Sequence, residues 1–162
     1  MGKKLFAEFP GTRIPMAMMF GLSLLAAGCS ANGSHGAAAA FDVASVQGSQ
    51  WELLSMGGTP VLESGNKPTL TFPEPGRIAG SASCNRYSGS AQVTPDGKLA
   101  LSAPNAIAVT RMACAEAALN EQEMRFLQLL GSAGQMKLEG DQLSIRTGER
   151  ADALVFRRKA GE

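Results

Sequence analysis

The side chains able to carry covalent or acid–base chemistry are few: three cysteines (Cys29, Cys84, Cys114), one histidine (His35), and serines with no recognisable nucleophile motif around them. A thiol can be acylated, oxidised to a disulfide or used as a metal ligand, and compartment and neighbours decide which. Any Ser-His-Asp hydrolase or multi-histidine metal site would depend on His35 alone. That residue lies in Ser34-His35-Gly36-Ala37, within a stretch lacking large apolar side chains, so nothing holds it as a pre-organised base. An enzyme would instead need Ser81 or Ser83 activated by a carboxylate or a lysine. Lys67, Lys98, Lys137 and Lys159 all fall at expected turns or strand ends, where hydrated ammonium groups are poor bases near neutrality. No P-loop, dinucleotide fingerprint, His-Glu-x-x-His or calcium loop occurs. Lys+Arg total 15 against Asp+Glu 14, so the concentrated positive charge that nucleic-acid phosphates require is missing. No cofactor, no metal and no nucleic-acid partner is expected.

Cys29 is explained by what precedes it. Lys3, Lys4 and Arg13 make a basic start, and residues 14–25 form an apolar run too short to span a bilayer but suited to a secretory signal. The run ends in Leu25-Ala26-Ala27-Gly28-Cys29-Ser30, which resembles the lipobox of bacterial lipoproteins, with Ala26 where Leu is preferred. Residues 1–28 are therefore expected to be a lipoprotein signal peptide, and Cys29 the lipidated residue. Ser30, in place of an inner-membrane retention Asp, points to the outer membrane, inner leaflet, with the domain in the periplasm. Met1, Met16, Met18 and Met19 leave with the signal, half of the eight methionines, which removes any case for a thioether-rich copper site. Residues 29–40 are expected to be a flexible tether. Residues 41–159 are expected to be one domain.

The elements that position the remaining groups are mostly strands. Residues 51–56, 69–72, 77–83, 90–94, 98–102, 135–139, 142–147 and 153–157 carry apolar alternation or lie between turn signals. Pro95-Asp96-Gly97 and Gly140-Asp141 mark hairpins. Residues 115–130 contain no Gly or Pro and are rich in helix formers. Ala115, Leu119, Phe126, Leu127 and Leu130 share one side, and Gly131 is expected to end the helix. The fold class is α+β: a curved, barrel-like antiparallel meander wrapped around a single amphipathic α-helix. Gln122 and Glu123 interrupt the apolar stripe, so Glu123 must either find donors or reach the rim. Trp51, Phe72, Phe126 and Phe156 are the large apolar groups available to line a groove beside the helix.

With Cys29 assigned to lipid, Cys84 and Cys114 remain in an oxidising compartment and are expected to form a disulfide. Zinc is the alternative for paired thiols, but it takes four ligands and the domain has no histidine. The neighbourhoods of these cysteines, Ser83-Cys84-Asn85-Arg86-Tyr87-Ser88-Gly89 and Thr110-Arg111-Met112-Ala113-Cys114, stand with Trp51-x-Leu53 upstream and Glu123-x-x-Phe126 downstream. Together they resemble the META domain (DUF306) family of HslJ-like heat-shock proteins, over residues 49–158. The resemblance implies a sheet wrapped on one helix, similar in outline to secretion pilotins, in proteins that are often envelope lipoproteins. It implies association with heat shock and, in some members, novobiocin resistance or secretion-linked virulence. No catalytic mechanism comes with it.

The expected function is a non-enzymatic outer-membrane lipoprotein, anchored through Cys29, that binds an envelope protein, peptide or lipid in stress response or integrity. An inhibitor of a cell-wall hydrolase and a serine-dependent envelope hydrolase are the alternatives. Asn85, Arg86 and Tyr87 form a candidate binding face, or else a turn in which Asn85 bonds backbone and Tyr87 packs its ring. Arg157-Arg158-Lys159 is either an attractor of anionic headgroups or a solubilising edge. A monomer is expected.

Overall fold

The computed structural model describes residues 40–64, 66–103, 106–148 and 150–160. The expected signal peptide, Cys29, His35 and the tether up to residue 39 lie outside them. The described chain runs β1 (Gln50–Met56), β2 (Thr59–Pro60), β3 (Thr69–Thr71), β4 (Arg77–Ser81), β5 (Arg86–Val93), β6 (Leu99–Leu101), β7 (Ile107–Val109), α1 (Ala117–Gly131), β8 (Ala133–Glu139), β9 (Gln142–Thr147) and β10 (Arg150–Arg158). The strands lie in the order β6-β5-β4-β3-β1-β10-β9-β8, with β2 on β1 and β7 on β5. Every pairing is antiparallel. The two ends of this order meet: Lys98 bridges Gln135, and the Met136 N–H donates to the Gly97 carbonyl at 2.7 Å. The sheet is thus nearly closed around its apolar face, an α+β fold as expected.

The inward-facing residues follow from period-two alternation, with one correction. Trp51 and Leu53 of β1 point inward, and a register shift between Leu53 and Ser55 against β10 then brings Met56, an odd step away, to the same side. Leu143 and Ile145 of β9 and Leu154 and Phe156 of β10 complete that wall. Gly97, at φ +80°, turns the β5–β6 hairpin where a Cβ would press on Phe41 and Gln135.

The helix buries Leu119, Gln122, Glu123, Phe126 and Leu130, one face at i, i+3, i+4, i+7 and i+11. Phe126 is its centre, with ring centroids 5.7 Å from Tyr87 and 6.5 Å from Phe156. Ala115 precedes the helix and is exposed. Gly131 is the last helical residue rather than the stop. Ser132 terminates the helix instead, its N–H bonding the Leu129 carbonyl and its Oγ donating to Gln128 and Leu129.

The two arginines of the basic run at the end of β10 are engaged within the domain. The Arg158 guanidinium lies 4.3 Å from the Trp51 ring centroid, reaches Asp141 at 3.5 Å and donates to the Ser45 carbonyl. Arg157 faces Glu52 at 3.7 Å. Both arginines therefore tie β10 to its neighbours.

Candidate functional site

Two places are candidate sites: a polar knot between α1 and the cysteine loops, and an apolar slot further along α1, lined by Leu127 and Gly131 and by β7. The knot is built from the loop joining β4 to β5. Ser83 sits there at φ 142°, a conformation that L side chains rarely adopt, and it aims the N–H groups of Cys84 and Asn85 at the helix. Glu123 receives them: its Oε2 accepts from Cys84 N at 3.0 Å and Asn85 N at 2.9 Å, and its Oε1 accepts from Asn85 Nδ2 at 2.7 Å. Gln122 works beside it, accepting from the Leu62 N–H at 2.8 Å and donating to Ser83 Oγ at 3.0 Å. The two residues that interrupt the apolar stripe are therefore buried and hydrogen-bonded.

Asn85 joins the knot to the strand–helix connection. Its Nδ2 also donates to the Met112 carbonyl at 3.0 Å, and its Oδ1 accepts from Met112 N at 2.7 Å and Thr110 Oγ1 at 2.8 Å. Cys84 and Cys114 are joined as a disulfide, with Cα atoms 5.5 Å apart, across the same junction. Both cysteines are half-buried.

Asn85, Arg86 and Tyr87 do not share one exposed surface, although Arg86 and Tyr87 both border a cleft of about 900 Å³ with Ser81, Ser83 and Cys84. Asn85 and Tyr87 are buried, and only Arg86 is exposed, because alternation along the start of β5 sends neighbouring side chains to opposite sides. Tyr87 passes over Gly80, where a Cβ would run into the Thr69 carbonyl, and donates its hydroxyl to that carbonyl at 2.8 Å. It bridges the place where β3 and β4 share a single pair, Thr71 with Ala79.

Burial pushes the Tyr87 phenol far above its usual range. Tyr87 is the chain's single tyrosine, so a phenolate titration reads it alone. No ionisation is expected near pH ~10 while the fold persists; the phenolate should appear only together with unfolding. Above pH ~10 only the unfolded chain releases this proton, so stability should fall with rising pH, at a slope approaching ~1.4 kcal/mol per unit. An ordinary titration near 10 in folded protein would contradict this placement.

Among the described residues, the candidate nucleophiles Ser81 and Ser83 bond a carbonyl and an amide rather than a base. Ser83 Oγ is bonded by the Gln122 amide, and Ser81 Oγ donates to the Ser83 carbonyl at 3.2 Å. Lys67 is paired with Glu63 at 2.9 Å.

Trp51, Phe72, Phe126 and Phe156, the groups available to line a groove, are core. All four are at most 1% exposed, because they meet inside the nearly closed sheet. The opening lies elsewhere. Leu127 and Gly131 of α1, with Leu101, Ala103, Ala106, Ile107 and Val109, line a slot of about 240 Å³. Leu127 is on the helix flank next to the buried face, and β7 has β5 as its strand neighbour on one side only among the described residues. Three residues between two turns gave no periodicity from which to recognise β7. Its half of the slot could be found only from the fold.

Comparison with known proteins agrees with this architecture. The META domain family matches residues 44–161. The chain is similar to the heat shock protein HslJ of Escherichia coli (strain K12), with 34% identity over 134 residues, covering 83% of this chain and 89% of that protein. Two structures solved by NMR are also similar. One has 31% identity and a TM-score of 0.58, covering 72% of this chain and 94% of that one. The other, from Burkholderia xenovorans, has 26% identity and a TM-score of 0.56, covering 73% and 86%. With the family matched across the whole described domain, and its cysteine loops joined to the helix by Glu123, this chain belongs to the META domain family.

Proposed function

We propose that the chain is a non-enzymatic module of the bacterial envelope, anchored to the inner leaflet of the outer membrane by lipid on Cys29. It uses the slot between α1 and β7 to hold an extended apolar segment of an envelope protein during stress. The main support is the slot itself: apolar side chains from the helix flank and from a strand with one unpartnered edge. An extended segment laid along β7 gains main-chain hydrogen bonds from the edge, while alternate side chains enter the slot. Burying one Leu- or Val-sized side chain there is worth roughly 1.5–3 kcal/mol. The unactivated environments of Ser81 and Ser83 support a non-enzymatic role. The name of the Escherichia coli relative supports a link to stress.

Leu127→Glu should abolish capture of the partner while leaving the fold intact, since Leu127 is only partly buried. A photo-crosslinking side chain at position 103, on the exposed rim of the slot and activated in cells, should yield an adduct that Leu127→Glu in the same chain abolishes. Undiminished crosslinking with the Glu variant would refute use of the slot. The anchor is checked separately: intact mass of membrane-extracted protein should show a chain beginning at lipidated Cys29. A fully soluble periplasmic chain beginning elsewhere would refute the anchor.

A further inference from the structure

The knot holds more ligating chemistry than a structural staple requires. The sulfurs of Cys84 and Cys114 and a carboxylate oxygen of Glu123 all lie within 4.8 Å of one another. We infer that reduction of the Cys84–Cys114 disulfide turns this corner into a one-to-one site for a thiophilic divalent cation such as Zn²⁺, with both thiolates and Glu123 as its protein ligands. The site is separate from the slot and does not depend on the partner-binding function.

Geometry favours chelation by one chain. Two metal–sulfur bonds of about 2.3 Å at a tetrahedral angle need sulfurs roughly 3.7 Å apart. A Cα separation of 5.5 Å permits that by side-chain rotation alone. The two loops also stay pinned once the disulfide opens. Glu123 holds the N–H groups of Cys84 and Asn85, and Asn85 holds both the N–H and the carbonyl of Met112. These bonds keep the thiols facing each other.

Charge favours a cation as well. Glu123 is 6% exposed and forms no ion pair among the described residues, being held by N–H donors alone. Two added thiolates would make three negative charges at one half-buried point, and a divalent ion offsets two of them. A carboxylate offers about four lone-pair directions. Three are taken here, which leaves one on Oε1. Water completes the coordination.

The electrons and protons balance as follows. A dithiol reductant delivers two electrons to the S–S bond by thiolate exchange and leaves as its own disulfide, while Cys84 and Cys114 each take up a proton. Zn²⁺ then displaces both protons as two Zn–S bonds form. Binding is therefore confined to the reduced protein and weakens with acid.

The test uses the full chain carrying Cys29→Ser, so that Cys84 and Cys114 are the only thiols. Phosphine-reduced protein is titrated with Co²⁺, then Zn²⁺, beside the oxidised form. One Co²⁺ per chain with a thiolate charge-transfer band and tetrahedral visible bands, absent from oxidised protein and displaced by Zn²⁺, supports the site. Glu123→Gln should weaken binding by about tenfold or more. Because that variant also disturbs the knot, X-ray absorption of the zinc-loaded parent gives an independent reading. Two sulfurs with an oxygen or nitrogen shell support the assignment. Four sulfurs from two chains, a reduced protein that unfolds and stays unfolded with Zn²⁺, or no binding would each overturn it.

Discussion

Glu123→Ala should destabilise the domain by about 3–5 kcal/mol, read as a lower urea midpoint at an unchanged slope. The substitution removes the acceptor of three hydrogen bonds at once, two from backbone N–H groups and one from Asn85. Hydrogen bonds to charged groups contribute about 1.5–3 kcal/mol, and each buried donor left without a partner costs about 1–3 kcal/mol. Water entering the vacated space recovers part of this, so the bonds do not sum. Glu123→Gln should cost about half as much. It keeps one carbonyl oxygen for the Cys84 and Asn85 N–H groups but turns an amide donor toward the donor Asn85 Nδ2. A double-mutant cycle with Asn85→Ala should give a coupling of about 1–3 kcal/mol, since the two side chains touch. A loss below about 0.5 kcal/mol for Glu123→Ala would show that the knot is not formed in solution.

Removing the disulfide with Cys84→Ser and Cys114→Ser should lower stability by roughly 3.6 kcal/mol. That figure is the chain-entropy value for a loop closed across 30 residues. The effect acts largely through the unfolded chain, which is freer and more expanded without the bond. The urea midpoint should therefore fall while the slope rises, the opposite pattern to Glu123→Ala, which leaves the slope alone. A domain of this size has roughly 5–15 kcal/mol in total, and the Asn85–Glu123 bonds remain, so the double variant should still fold. Non-reducing peptide mapping checks the bond itself. Two alkylatable thiols in protein purified from an oxidising compartment, or an unchanged midpoint in the serine variant, would contradict a stabilising role.

Much of the architecture was legible from local chemistry. Alternation and turn residues placed β1, β3, β6 and β9 within a residue or two, because strand faces and tight turns are written in neighbouring side chains. The helix was legible from its composition and its Leu119–Phe126–Leu130 stripe, and the cysteine pairing from the expectation that the chain is exported with Cys29 lipidated. Other features depend on residues distant in the chain. The start of β5 reads as a turn until β7 supplies its partner, and β7 is invisible until β5 is there. Glu123 could be flagged as a polar residue on an apolar face, but its donors lie 38 and 39 residues away and reach it only through the backbone of Ser83. Trp51, Phe72 and Phe156 of the sheet and Phe126 of the helix were legible as the large apolar groups at the sheet–helix contact. Whether they were core or groove was decided by the Lys98–Gln135 bridge, which closes the sheet over them and leaves the opening at Leu127. The amino-acid sequence by itself determined the family, the strand-and-helix composition and the two cysteines available to pair, since these depend on residue type and short-range spacing. Only the tertiary structure decided which polar groups are satisfied and where apolar surface stays open, because both depend on which distant backbone groups the closed sheet brings to the helix.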